Sequence, residues 1–176
     1  MNNNTFELTI IPGRDILQIN NARIRFKNFK GEGSMYNAEG DRNFSLVIPD
    51  EDVKEALESN VNEFGKGWNV KIRPPRNEEE DALMHLKVNV KYTERSAPNV
   101  YLVSGKNRVK LTEETIGMLD DIRIEKVDLD IRPYDGESRF GPFRAAYLQS
   151  MKVYQDLTGD RFASEFEDER FYDDED

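Results

Sequence analysis

The chain has 176 residues, the size of one domain or of one domain with a tail. Hydrophobic residues make up 37% and charged residues 34% of it, and no apolar run approaches the ~20 residues of a membrane helix. With no cysteine and one histidine, disulfides and thiolate metal sites are excluded and histidine chemistry has almost no candidates. We therefore expect a non-enzymatic protein without metal or cofactor. The N-terminus lacks a signal-peptide pattern, which favours the cytoplasm and no membrane contact.

The negative charge is concentrated at the C-terminus. The formal net charge is -10, and residues 155–176 carry ten acids and two bases, whereas residues 1–154 carry 25 acids and 23 bases. A run of like charges with few apolar residues cannot bury enough surface to offset the entropy of ordering. We therefore predict one folded domain over residues 1–154 and a disordered acidic tail over residues 155–176.

Alternation of apolar and polar residues predicts strands through most of the first domain. A glycine-rich loop separates the first two strands, and an aspartate after Pro49 can cap a helix that Gly65 ends. The elements predicted for the first half are a strand over 15–29, a strand over 43–48, a helix over roughly 50–63, a strand over 68–73 and a strand over 83–92.

The second half continues with strands and one further helix. Ser104 to Asn107 has the composition of a hairpin turn. The predicted elements are strands over 100–103 and 108–111, a helix from Thr112 to Asp121, a long strand over 122–132 that Pro133 ends, and a strand over 145–154. Many long, half-polar strands and two short helices favour a mainly β fold, a curved antiparallel barrel with helical lids, over a parallel doubly wound sheet.

Cationic and aromatic residues occur together on the strands and in the adjoining loops. A groove that binds single-stranded nucleic acid needs cations for the phosphates and flat aromatic faces for the bases. Phe26, Phe44 and Trp68 fall on the apolar side of their strands, so we expect them in the core. Phe29 and Tyr36 lie next to a lysine or near glycines and are the better candidates for exposed stacking residues.

A second cluster of this kind lies in residues 132–144, which combine arginine, aromatic residues, glycine and proline. We interpret this segment as a loop between two long strands, where barrels commonly carry binding residues. His85 has no visible partners for catalysis or metal binding, and we interpret it as a structural or surface histidine. The predicted nucleic-acid-binding residues are Arg23, Arg25, Lys27, Phe29, Lys30, Tyr36, Arg42, Lys71, Arg73, Tyr134, Arg139 and Phe140.

The order of these features resembles bacteriophage single-stranded DNA-binding proteins. The resemblance is carried by Asn20–Phe26, the glycine-rich loop, Asn43–Pro49, the helix with an acidic start, and the acidic, aromatic-containing segment Glu165–Asp176. It implies an oligonucleotide-binding (OB) barrel that binds single-stranded DNA. It also implies a tail that contacts replication or recombination proteins, here through Phe166, Phe171 and Tyr172.

A different class of function stays open at this stage. An acidic chain can mimic nucleic acid and inhibit a host nuclease or another DNA-binding enzyme by occupying its cleft. A mimic needs carboxylates on a folded face, whereas most of the excess acid here lies in the segment predicted to be disordered. The sequence leaves homo-oligomer formation, the choice between DNA and RNA, and the size of the binding site open.

Overall fold

The computed structural model describes residues 5–158 of the chain. No helix in this part is long and apolar enough to cross a bilayer. The helices are α1 (Glu51–Ser59) and a 3₁₀ helix (Ile116–Asp121). The strands are β1 (Glu7–Ile11), β2 (Ile16–Ala22), β3 (Ile24–Asn28), β4 (Arg42–Val47), β5 (Val70–Arg73), β6 (Leu83–Val90), β7 (Asn99–Ser104), β8 (Asn107–Leu111), β9 (Ile124–Ser138) and β10 (Gly141–Gln155).

The sheet curls because β2 runs directly into β3. Neighbouring strands follow the order β1-β2-β9-β10-β6-β4-β3, and a single residue, Arg23, separates β2 from β3. One bent strand therefore joins β9 on one side to β4 on the other. Most pairings are antiparallel, and β10 adds parallel pairings with β6 and β7. The predicted mainly β, OB-like fold with two short helices is confirmed.

The core fills the inside of this curl. Alternate residues of each strand point inward, such as Phe44 and Leu46 of β4 opposite Val88 and Leu86 of β6, and all four are buried. α1 closes one part of the core with Leu57. The 3₁₀ helix contributes two further buried side chains, Ile116 and Leu119. Both helices therefore act as the lids that the sequence predicts.

The segment predicted to be a loop, residues 132–144, is instead the end of a long β-hairpin. Pro133 does not end β9: it pairs with Ala146, and the ladder continues to Ser138 opposite Gly141. A proline is accepted here because the pairing of β2 with β9 stops at Ile131 in the described structure, so β9 has no ladder on that edge beyond this residue. The prediction of an irregular loop is wrong for this reason.

Two further boundaries differ from the predicted ones. The strand predicted over residues 15–29 is two strands, because β2 pairs with β9 whereas β3 pairs with β4. The edge strand β1, which pairs with β2 from Glu7 to Ile11, has no counterpart among the predicted elements. By contrast, α1 lies within the predicted range and begins after Asp50, whose carboxylate accepts a hydrogen bond of 2.9 Å from the N–H of Val53.

Arg144 is a buried cation that connects four segments. Its side chain donates to the carboxylate of Asp135 at 2.8 and 3.1 Å, to Asp15 at 3.0 Å, and to the side-chain and backbone oxygens of Asn60 at 2.7 and 3.0 Å. The guanidinium also lies 5.4 Å from the ring centre of Trp68. One side chain of β10 therefore contacts the β1–β2 turn, the end of α1, the segment before β5, and β9.

We expect Arg144→Met to destabilise the protein strongly. Removing one partner of a fully buried ion pair costs about 3–5 kcal/mol. The side chains of Asp15 and Asp135 are 27% and 28% exposed, so water would partly solvate them after the substitution. We therefore expect the free energy of unfolding to fall by about 2–3 kcal/mol. Urea unfolding followed by circular dichroism measures the loss. Lys54→Met, which removes the surface pair with Glu58 on α1, is the control and should change the midpoint little. Equal effects of the two substitutions would contradict the prediction.

Candidate nucleic-acid interface

A groove of about 390 Å³ lies along one edge of β6. β5 pairs with this strand up to Leu86, and β10 pairs with it from Val88, so the neighbouring strand changes at Lys87. The groove lies at this change of partner, and its lining also includes Trp68, Asn89 and Phe143. Among the described residues, the charged ones that line it are all cations: Lys66, Lys71, Lys87 and Arg144.

Stacked aromatic rings continue the groove across β9 and β10. The ring centres of Tyr134 and Tyr147 are 5.1 Å apart at 15° between planes, and those of Tyr134 and Phe143 are 6.2 Å apart at 28°. The guanidinium of Arg132 lies 5.1 Å from the ring centre of Tyr147. This outward surface therefore offers flat faces next to a cation.

We call the outward side of β3, β5, β6, β9 and β10 the open face. On β6 the residues of the open face alternate with buried residues. The residues of the other four strands belong to the open face because their pairing places them on the same side of the sheet as these β6 residues. The open face carries Arg25, Phe26, Lys71, Arg73, His85, Lys87, Asn89, Arg132, Tyr134, Phe143 and Tyr147.

A β-bulge in β3 exchanges the predicted positions of two phenylalanines. Arg25 pairs with Ser45 and Asn28 with Asn43, so two residues of β3 lie opposite the single residue Phe44. After this extra residue the inward and outward sides are exchanged. Phe29 is consequently buried at 0% exposure and stacks on Phe44 at 5.3 Å, whereas Phe26 is 45% exposed. The predictions of a stacking role for Phe29 and a core position for Phe26 are wrong, and those for Phe44 and Trp68 are confirmed.

Three of the predicted phosphate-binding cations contact protein oxygens. Lys27 Nζ donates to two backbone carbonyls at the end of the 3₁₀ helix, at 2.8 and 2.7 Å. Lys30 pairs with Asp121 at 2.8 Å. Arg42 donates to the carbonyl of Phe29 at 3.0 Å. These side chains hold β3 and its loop against the rest of the fold, so their charges are engaged by protein groups.

The predicted loop residues remain exposed at two hairpin ends. Tyr36 is 92% exposed in the β3–β4 connection, and Phe140 is 85% exposed at the β9–β10 tip, with the guanidinium of Arg139 4.8 Å from its ring centre. The register of β4 and β10 on β6 places these hairpin ends toward opposite ends of β6. Arg23 lies between β2 and β3 and is exposed beside Arg25.

Comparison with protein families identifies the chain. The family described as "Putative phage ssDNA-binding domain" matches residues 10–174, nearly the whole sequence. The chain belongs to this family. The resemblance inferred from the sequence is therefore confirmed.

Two solved structures of a protein from bacteriophage Enc34 have the same fold as this member of the phage ssDNA-binding family. One is described as the single-stranded DNA-binding protein from bacteriophage Enc34 in complex with ssDNA; it is 15% identical, with a TM-score of 0.53, over 85% of this chain and 90% of that chain. The same Enc34 protein, described without ssDNA, is 17% identical with a TM-score of 0.53, over 85% of each chain. A comparison with curated proteins finds no match.

Sequence reasoning missed several residues of the open face in this family member. Lys87 and Tyr147 lie on the polar side of strands whose neighbouring residues are buried, so alternation alone could have indicated both. Arg132 and Phe143 lie in the segment interpreted as a loop, and without strand alternation nothing distinguishes its outward residues from its inward ones. For Phe26 the alternation of Ala22, Ile24 and Phe26 continues as if no residue were inserted, so this pattern does not reveal the bulge.

His85 lies on the open face, next to the cations of β5. Its Nδ1 atom is buried and has no hydrogen-bond partner among residues 5–158. Burial lowers the pKa of His85 below its ordinary value of 6.5, and the charges of Lys71 and Arg73 lower it further. The folded protein therefore binds a proton at this position less readily than the unfolded chain does.

We expect His85 to make the protein less stable in mild acid. Because the pKa of His85 is lowered by folding, the unfolded chain binds a proton at this residue more readily than the folded protein does. As the pH falls below about 6.5, this proton uptake favours the unfolded chain and the folded protein loses stability. Urea unfolding at pH 7.5, 6.5 and 5.5 should show wild type losing stability relative to His85→Gln as the pH falls. A difference between the two proteins that stays constant with pH would disprove this role.

Proposed function

We propose that this protein binds single-stranded DNA without catalysis and with little sequence preference. The observation that carries the proposal is the groove along β6, whose charged lining is cationic and which leads to the stacked rings of Tyr134 and Tyr147. Phosphates require cations, and bases require flat faces, each stacked base contributing ~1–3 kcal/mol. Membership of the phage family and a shared fold with a protein described in complex with ssDNA support it.

Different residues of the open face serve the two parts of a nucleotide. Lys71 and Lys87 are placed to neutralise phosphates, because both are exposed on neighbouring strands. Tyr134, Phe143 and Tyr147 are placed to stack on bases. The stacking contributes affinity that does not depend on the identity of the base, since every base has a flat face.

The exposed loop residues extend this surface at both ends. In OB-folds the loops of the first and last hairpins bind oligonucleotides together with the central strands. We propose a comparable role for the β3–β4 connection with Tyr36 and for the β9–β10 tip with Arg139 and Phe140. Arg23 and Arg25 add cations near the start of β3, and Arg73 adds one at the end of β5.

The alternative of a DNA mimic fits the described part of the chain less well. A mimic presents carboxylates at phosphate-like spacing, whereas the groove along β6 has only cations among its charged lining residues. Direct inhibition of a DNA-binding enzyme by a protein that does not bind oligo-dT would favour the mimic.

We expect the double substitution Lys71→Glu/Lys87→Glu to weaken binding of oligo-dT. The slope of log affinity against log salt is negative, and each lost phosphate contact reduces its magnitude by about 0.7 for single strands. The magnitude of the slope should therefore decrease by about 1.4 or more. Fluorescence anisotropy at 50, 100 and 200 mM salt measures it. Arg108→Glu/Lys110→Glu on β8 makes the same charge change away from the groove and should keep the wild-type slope.

The acidic C-terminal segment has a proposed regulatory role in phage DNA replication or recombination in the host cytoplasm. Its residues Phe166, Phe171 and Tyr172 lie outside the described residues. We propose that the segment competes with DNA for the cationic groove and recruits replication or recombination proteins through these aromatic residues. A tethered polyanion of this length has an effective concentration of order millimolar at a nearby groove.

We expect removal of residues 159–176 to raise the affinity for oligo-dT, most clearly at low salt. This segment carries nine acids and two bases, and screening reduces its effect as salt rises. The cut follows Thr158 because Gln155 still pairs with Ile124, and the N–H of Asp156 donates to Arg123 at 2.9 Å.

Two full-length variants separate the roles of charge and aromatic residues. Replacing the nine acids of residues 159–176 by Asn and Gln should raise the affinity for DNA as much as the truncation does. Phe166→Ala/Phe171→Ala/Tyr172→Ala should leave DNA affinity unchanged and abolish capture of phage replication or recombination proteins. Equal DNA affinity and equal capture in all forms would show that the segment only keeps the protein in solution.

A further inference from the structure

Phe26 has a backbone conformation that bulky residues rarely adopt. Its φ is +53°, in the left-handed region, where the side chain of any residue but glycine is crowded. Such strain persists only when the surrounding structure imposes it, and it concentrates at ligand-binding sites. Here the bulge imposes it, and the result is a large apolar ring directed outward at 45% exposure.

The groups around the Phe26 ring hold it in a defined position. The ring of His85 meets it edge-on, with ring centres 5.8 Å apart at 71°. The guanidinium groups of Arg73 and Arg25 lie 5.2 and 5.8 Å from its centre. Three different strands thus support one exposed ring, which reduces the conformational entropy that a ligand would have to remove.

A groove of about 390 Å³ opens beside this ring, apart from the groove along β6. Its volume lies in the ~300–1,000 Å³ range of ligand sites. The charged residues that line it, among those described, are Arg25, Arg73 and Arg76 against Glu80 and Asp81. Guanidinium groups therefore outnumber carboxylates, and two of them, those of Arg25 and Arg73, lie against the aromatic ring.

We propose that Phe26 is a base-stacking residue, and that Arg73 and Arg76 hold the phosphates on either side of the stacked nucleotide. The inference rests on the proposed binding of single-stranded DNA and adds a subsite at the β3–β5 end of the open face. A planar base that stacks on the ring takes the place of a guanidinium group there. The displaced guanidinium can then stack on the other side of the base, because guanidinium planes stack on bases as they do on aromatic rings. The strained bulge then serves to present the ring.

The test compares three substitutions at position 26. Phe26→Leu keeps an apolar side chain but removes the aromatic face, and we expect it to lower the affinity for oligo-dT about fivefold or more. Phe26→Tyr keeps the face and should retain wild-type affinity. Phe26→Gly also removes the ring, but glycine adopts a positive φ without strain, so this variant stays folded even if leucine is not accepted. Circular dichroism verifies folding in each case.

An oligonucleotide of the same length with abasic sites separates stacking from phosphate binding. Wild type and Phe26→Tyr should prefer oligo-dT over the abasic strand. Phe26→Leu and Phe26→Gly should show a clearly smaller preference, because only the stacking on Tyr134, Phe143 and Tyr147 remains. Equal loss of affinity for both strands would show that Phe26 only arranges the arginines, and unchanged affinity would show that it has no role in binding. Either result overturns the inference about Phe26, whereas binding of oligo-dT by the wild type would still support the proposed function. If the wild type does not bind oligo-dT, the proposed binding of single-stranded DNA is itself wrong.

Discussion

The position of the groove along β6 depends on the buried guanidinium of Arg144. Its five hydrogen bonds reach the β1–β2 turn, the end of α1 and β9, and its plane lies near Trp68. A cation this deeply buried is tolerated only when its donors are satisfied by charged or polar partners. All these segments must therefore be in place together, or the charge is left uncompensated.

This constraint also orients the aromatic residues of β10. Side chains alternate along a strand, so an inward Arg144 requires that Phe143 and Ala145 point outward. Phe143 then meets Tyr134 of β9, which stacks in turn on Tyr147. The same arginine lowers the pKa of Asp135 through the hydrogen bond between them, with a further contribution from Asn62. The buried ion network and the exposed aromatic surface are two sides of one strand.

Strand alternation predicted most of the fold but not its irregular positions. The strands β4, β5, β6, β7 and β8 lie close to their predicted ranges, because runs of apolar or alternating residues mark them. β10 begins at Gly141, before its predicted start at residue 145. One extra residue in β3 exchanged Phe26 and Phe29, and no local pattern reveals such an insertion. The hairpin beyond Pro133 was missed because proline normally ends a strand, and its acceptance depends on where a distant strand stops pairing.

The candidate site was harder to predict because the availability of a cation depends on distant partners. Lys27 is 92 positions from Leu119 and 95 from Ile122, the residues whose carbonyls it contacts, and Arg144 is 129 positions from Asp15. A sequence shows that a residue is cationic but not whether its charge is already engaged. Lys71 and Arg73 lie on the open face, whereas Lys30 and Arg42 contact protein oxygens.

A nearly neutral domain can bind an anionic strand because local charges, not the net charge, act at short range. Residues 1–154 carry 25 acids and 23 bases. In the described lining of the groove along β6, Lys66, Lys71 and Lys87 have no carboxylate beside them, whereas the charge of Arg144 is balanced by Asp15 and Asp135. At physiological salt the Debye length is about 8 Å, so a phosphate in the groove interacts mainly with the cations that line it. Acids elsewhere on the domain act strongly only at low salt. Stacking is not screened in this way, so aromatic contacts should carry a growing share of the affinity as salt rises.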